Sequence, residues 1–166
     1  RTRLGIARSF QIPRPFGSMS VVDNLVVPLE FVVHRGSLHL ADTRGEAMEI
    51  LKTMGLSDKA RAASNTLSQV ELRKLELARA MAAEPKLLIA DESMAGLSQS
   101  EVDDIVGLLI RLNERGITII MIEHIMRAVM RFSQRLVVLV SGKKIADGKP
   151  DQVIRDPEVE RAYLGQ

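Results

Sequence analysis

The sequence predicts an α/β fold built on parallel strands, with an all-helical stretch inserted into it. Three observations carry this. Leu87–Ala90 and Ile117–Ile122 are short, continuous apolar runs without alternation, as expected of strands covered on both faces in a parallel sheet. Each follows a segment whose apolar residues recur at helical spacing, so helix and strand alternate along this part of the chain. From Ser18 to Ser64 there is no period-two alternation at all.

In chain order, residues 1–17 read as a short strand through Ile6 and Ala7, then a loop that Pro13 and Pro15 keep irregular. Ser20 is a fair N-cap, with Asp23 three residues on, ahead of a helix over Asn24–Val33. His34–Leu40 follows as a loop. A second helix spans Thr43–Met54, with Ala47, Ile50, Leu51 and Met54 on one face and Gly55 as its stop. His34 and His39 stand five apart with no acid or cysteine beside them in that loop, so no metal site is expected there. Leu72, Leu75, Leu77, Ala78 and Met81 give a helix over Glu71–Met81, and Pro85 ends it by lacking an N–H and disfavouring helical angles at Glu84.

After the Leu87–Ala90 strand, Val102, Ile105, Val106, Leu109, Ile110 and Leu112 make one apolar stripe of a helix over Ser100–Arg115 that Gly116 closes. The Ile117–Ile122 strand leads to a helix at Ile125–Phe132. Two strands, Gln134–Val140 and Lys143–Asp147, form a hairpin about Ser141-Gly142. Short helices at Pro150–Arg155 and Asp156–Leu164 end the chain, the second with Asp156 as cap and Pro157 at its first position.

Composition narrows the function. At 166 residues the chain is one ordinary domain, or one large domain with a small appendage, and 46% hydrophobic residues suffice for a core. Four Phe, one Tyr and no Trp make that core aliphatic and argue against a base-stacking nucleic-acid platform. A net charge of +2 with both signs interspersed gives no polyanion-binding signature. No cysteine is present, which excludes disulfides and thiolate metal sites. No apolar run approaches the roughly 18–20 residues of a membrane span, and Arg1-Thr2-Arg3 leads into no signal peptide. The expectation is a soluble chain that meets a membrane only through a partner.

Asp91-Glu92 directly follows the first apolar run. Ligand crevices of open α/β sheets lie at the carboxyl ends of strands, and successive strand residues face opposite ways. Two acids there suit a metal ligand followed by a group that polarises an attacking water. The same dipeptide serves equally as a solvated strand end or a cap for the next turn.

The company of that dipeptide is informative. Leu67-Ser68, the run Leu-Glu-Leu-Ala-Arg-Ala from Leu75, Leu-Leu-Ile-Ala-Asp-Glu from Leu87, Ala95-Gly96-Leu97 and Ile122-Glu123-His124 occur in one order. This set resembles the ATP-binding subunits of ABC transporters over nearly the whole chain. Phe10-Gln11-Ile12-Pro13-Arg14-Pro15-Phe16 and Arg161-Ala162-Tyr163-Leu164-Gly165 resemble the branched-chain amino-acid uptake group within that family. The resemblance implies part of a RecA-like P-loop ATPase core with an inserted helical subdomain. Residues 1–11 would end the first core part, 12–84 would form the helical subdomain, and 85–166 the second core part.

It also implies ATP and Mg²⁺ as ligands, with Asp91 of the Walker B strand and Gln11 of the Q-loop toward the metal. Glu92 and the switch residue His124 would act in catalysis. Leu67, Ser68 and Gln69 of the signature, Ala95, Gly96 and Ser98 of the D-loop, and Gln11 would contact nucleotide. Implied partners are transmembrane permease subunits, docked on the helical subdomain and Q-loop, and a second ATP-binding subunit, with no nucleic acid. The implied location is cytoplasmic, peripheral on the inner face of the cell membrane. A DNA-repair relative fits less well, since nothing suggests a coiled-coil insertion.

Departures from the family are equally specific. Gln69-Val70-Glu71 replaces the usual Gly-Gly-Gln, adding Cβ bulk and an acid where close approach to phosphate favours glycine. Ser93 stands where Pro is common, and Ser98 where Asp or Asn is. No Gly-x-x-x-x-Gly-Lys-Ser/Thr occurs among the 166 residues. The family carries that motif upstream of the Q-loop. The expectation is therefore a C-terminal part of a longer subunit, inactive alone, with an unpaired sheet edge. A non-catalytic docking or regulatory module is the alternative.

Overall fold

The computed structural model describes residues 1–34 and 40–164, with the backbone alone at 40–42 and 164. The chain divides into two compact units, Arg1–Glu123 and His124–Gln166.

In the first unit, β1 (Ile6–Ser9), β2 (Leu87–Asp91) and β3 (Thr118–Ile122) form a parallel sheet in the order β1-β2-β3. Register runs from Ile6 opposite Leu87 to Ser9 opposite Ala90, and from Leu87 opposite Thr118 to Asp91 opposite Ile122. Gly5 sets the start. Its φ of 82° is left-handed, its carbonyl accepts from the N–H groups of Lys86 and Leu87 at 2.8 and 3.0 Å, and a Cβ there would stand 3.1 Å from Lys86 Cγ. Leu88 and Ala90 of β2 are fully buried. β3 departs from the expected strand covered on both faces: Ile120 and Ile122 are 49% and 48% exposed. Among the described residues β3 is an edge strand, and nothing pairs with its outer side.

Helices α1 (Val21–Pro28), α2 (Leu40–Met54) and α3 (Gln69–Met81) pack on one another, burying Leu25, Leu29, Leu51 and Leu75. Helix α1 starts earlier than expected, directly on Ser20, whose hydroxyl accepts from Asp23 N–H at 3.2 Å. The predicted helix also does not run regularly to Val33. Pro28 has no N–H to give, and the next turn, Leu29–Val33, widens to a π turn closed by His34 N–H on the Leu29 carbonyl at 2.9 Å. Of the expected His34–Leu40 loop, residues 35–39, including His39, lie outside the described residues. His34 Nε2 meets Glu46 Oε2 at 2.9 Å, so an acid from α2 does stand beside it.

Helix α3 ends where Pro85 predicts, with Glu84 turned into the left-handed region at φ 48°. Helix α4 (Gln99–Glu114) packs on β3 and buries Val102, Ile105, Val106, Leu109 and Leu112, the predicted stripe except Ile110, which is half-buried, together with Leu108.

The second unit holds α5 (Met126–Phe132), the hairpin of β4 (Leu136–Val140) and β5 (Lys143–Gly148), α6 (Pro150–Val153) and α7 (Pro157–Leu164). Ser141 and Gly142 both take positive φ, 47° and 78°, the geometry of a two-residue type I′ turn. Val138, Val153 and Val159 form its small core with Leu136, Ile145 and Ala146. Among the described residues no helix is long and apolar enough to cross a membrane.

An unpaired edge beside half-exposed isoleucines favours intermolecular strand addition. The chain is expected to self-associate as its concentration rises, read by multi-angle light scattering; a monomer across the whole range would contradict this.

Candidate functional site

Parallel pairing makes β1 and β2 end at the same edge of the sheet, and the site assembles there. Asp91 closes β2, and its carboxylate accepts from Arg8 Nη2 of β1 at 2.5 Å. Glu92 comes next. Its N–H still donates to the Ile122 carbonyl of β3 at 2.9 Å, but its φ is 42°, a left-handed conformation uncommon for a residue with a side chain. The chain turns sharply at that point. The Glu92 carboxylate accepts from Gln11 Nε2, which the loop after β1 delivers.

Two residues named from sequence for separate motifs are thus in contact, although 81 positions apart. The ion pair of Arg8 was not foreseen. An arginine two residues before a loop carries no signal by itself, and only the strand register reveals what it faces.

The turn after Glu92 is anchored from inside. Met94 is fully buried, and its N–H donates to Glu123 Oε1 at 3.0 Å. Ser93 is buried too, its hydroxyl without a hydrogen-bond partner among the described residues. Arg73 of α3 donates through Nη1 to the Gln11 carbonyl and through Nη2 to the Ala95 carbonyl at 3.1 Å. Its burial lowers its pKa, with the charges of Glu123 and Glu76 opposing. Gly96 takes φ 80°, and the Gln69 amide oxygen lies 3.5 Å from where a Cβ of Gly96 would stand.

The remaining named residues act at helix ends. Leu67 is buried. Ser68 caps α3: its hydroxyl accepts from Glu71 N–H at 3.4 Å, and Glu71 Oε2 accepts from Ser68 N–H at 2.8 Å. Ser98 does the same for α4, with Ser98 N–H to Glu101 Oε2 at 2.8 Å and Oγ to the same oxygen at 2.7 Å. His124 is exposed and opens the second unit, directly after Glu123.

For Mg²⁺ the donor set consists of the Asp91 carboxylate and the amide oxygen of Gln11, whose Nε2 is the atom turned to Glu92. Hard oxygens of this kind suit an ion that takes one or two carboxylates and fills its shell with water and substrate phosphates. No cluster of three His, Cys, Asp or Glu gathers to hold an ion among the described residues. The residues present fit the metal as a shared ligand.

Comparison with known proteins identifies the family. The sequence profile of the family described as ABC transporter matches residues 1–95. The chain belongs to the ABC transporter family, among its ATP-binding subunits. A profile for the branched-chain amino acid ATP-binding cassette transporter matches residues 143–166. The high-affinity branched-chain amino acid transport ATP-binding protein BraF of Pseudomonas aeruginosa is 36% identical, over 99% of this chain and 69% of its own. The lipopolysaccharide export system ATP-binding protein LptB of Haemophilus influenzae is 33% identical, over 100% of this chain and 68% of its own. The ADP conformation of MJ1267, an ATP-binding cassette of an ABC transporter, superposes with TM-score 0.84 at 28% identity, over 99% of this chain and 70% of that one.

The Glu71 cap gives a pH prediction. Ser68, chiefly through its N–H, holds the Glu71 carboxyl below its ordinary range, and Lys59 and Lys74 add to this. A carboxyl lowered on folding stabilises above its unfolded pKa, and that contribution fades as pH falls through the folded value. Glu71→Ala is expected to cost about 1 kcal/mol at neutral pH. Glu71→Gln should keep most of the cap while flattening the loss between neutral pH and about pH 3. Urea unfolding of the three forms checks this; equal acid sensitivity in all would contradict it.

Proposed function

We propose that this chain carries the catalytic-carboxylate side of the nucleotide site in an ABC importer, one that couples ATP hydrolysis to uptake of amino acids, branched-chain ones in particular. The contact between Gln11 and Glu92, beside Asp91 at the shared carboxyl edge of β1 and β2, is the observation that carries the reading. The branched-chain profile match and the likeness to BraF support the choice of solute class.

In this reading Glu92 accepts a proton from the water that attacks the γ-phosphate. Gln11 orients Glu92 and that water through its amide. Asp91, which Arg8 pairs with here, and the Gln11 amide oxygen would hold Mg²⁺, which when bound would supply charge neutralisation at the transferred phosphate. His124 has the role of the switch residue that senses the γ-phosphate. Residues 12–84 form the helical subdomain that docks on transmembrane permease subunits at the inner membrane face. Leu67, Ser68, Gln69, Ala95, Gly96 and Ser98 face the nucleotide of a second ATP-binding subunit.

One observation favours a second reading, in which the chain is a non-catalytic docking or regulatory partner. The N-terminal end of α3, which a glycine-rich signature opens to phosphate, is closed by the Glu71 carboxylate. We infer that this signature face supports hydrolysis poorly, and that residues 1–166, without a phosphate-cradling P-loop, do not turn over ATP alone.

The test is ATP turnover by the complete transporter with Glu92→Gln. A fall of about 10²–10⁴-fold with ATP affinity retained is expected of a lost general base. Turnover within a few-fold of the unaltered protein would overturn the catalytic reading and leave the docking one. Calorimetry of residues 1–166 should find ATP binding weaker than micromolar, and uptake assays across amino acids should favour branched-chain ones.

A further inference from the structure

Helix α3 turns three polar side chains, Arg73, Glu76 and Arg79, toward the segment that follows β1, and all three grip its main chain. Arg73 Nη1 donates to the Gln11 carbonyl. Glu76 is only 5% exposed, and its Oε1 accepts from Arg14 N–H at 2.7 Å. Arg79 Nη1 donates to the Arg14 carbonyl at 2.9 Å and to both Glu76 oxygens at 3.2 and 3.3 Å, and its guanidinium lies 5.0 Å from the centre of the Phe16 ring. Spacing of three along a helix aligns such groups on one face. Because the contacts are to backbone, they fix where the loop runs whatever side chains it carries.

Arg73 differs from the other two. Its second arm, Nη2, holds the Ala95 carbonyl at 3.1 Å, in the turn three residues beyond Glu92. One guanidinium therefore ties the backbone of Gln11 to the backbone just past Glu92, and these are the two residues whose side chains meet in front. A planar fork with donors in fixed directions can span two carbonyls in this way, whereas a lysine ammonium is a point charge on a flexible stem.

We propose that Arg73 is a positioning residue that sets the Gln11–Glu92 geometry by joining the loop after β1 to the turn after β2, so that α3 and the carboxylate site move together. Its catalytic consequence rests on the function proposed above; the clamp itself does not.

The experiment therefore has two arms. Hydrogen exchange on residues 1–166 compares the unaltered chain with Arg73→Gln, Arg73→Lys and Arg79→Gln. Arg73→Gln should speed exchange about tenfold at Arg14 and Phe16 and equally at Ala95 and Leu97, while Arg79→Gln speeds it at Arg14 and Phe16 alone. Arg73→Lys should behave as Arg73→Gln. Acceleration spread evenly through α3 and the sheet, confined to one of the two segments, or rescued by lysine would overturn the proposal. In the complete transporter, Arg73→Lys should lower kcat at least tenfold while leaving the KM for ATP within twofold. A rise in KM with kcat intact would also overturn it. If the unaltered transporter hydrolyses no ATP, the functional reading fails while the exchange arm still decides the clamp.

Discussion

Parallel pairing of β1 with β2 is the constraint from which the rest follows. Two strands running the same way must release their chains at the same edge, and here those chains are the loop carrying Gln11 and the turn carrying Glu92. Had the strands paired antiparallel, the two residues would leave at opposite ends of a sheet four to five residues long. The register is equally consequential. Arg8 stands opposite Ile89, which puts its side chain within reach of the carboxylate two residues further on. A slip by one residue would turn Arg8 to the other face.

Edge placement alone leaves loops loose, and this molecule fastens them with polar side chains aimed at main chain. Asn24 bonds both polar backbone atoms of Phe16, at 2.8 and 3.2 Å, and Ser64 adds a bond to its carbonyl at 2.8 Å. Glu76 and Arg79 hold Arg14 in the same way, and Arg73 holds Gln11. Buried polar groups such as Asn24 and Glu76 are costly when left unpaired, so their bonds both stabilise and specify, whereas Arg79 Nε has no hydrogen-bond partner among the described residues. The three packed helices are thereby tied to the sheet edge through one face of α3.

Much of this could be read from the sequence where local chemistry decides the outcome. Pro85 ending α3, the Ser141-Gly142 turn, the alternation of amphipathic helices with apolar runs, and the acid pair at the end of β2 are all local statements. What escaped depended on partners distant in sequence. Nothing local marks Arg73, Arg79 or Arg8 as more than polar positions, and their acceptors lie 62, 65 and 83 residues away. The left-handed turn at Glu92 has no residue-type signal, since glycine would announce it and glutamate does not. Glu71 was legible as an acid at a helix start, but its closure of the cap with Ser68 required the geometry. The exposure of Ile120 and Ile122 ran against an apolar run that reads as buried on both sides.

Everything proposed about catalysis requires the Gln11 side-chain amide to lie on the Glu92 carboxylate. The most direct measurement is a pH titration of the Gln11 side-chain amide resonances by nuclear magnetic resonance, in the unaltered chain and in Glu92→Gln. The account predicts a shift that follows protonation of one carboxyl group and vanishes in Glu92→Gln. Resonances indifferent to pH, or a titration that persists in that variant, would contradict it.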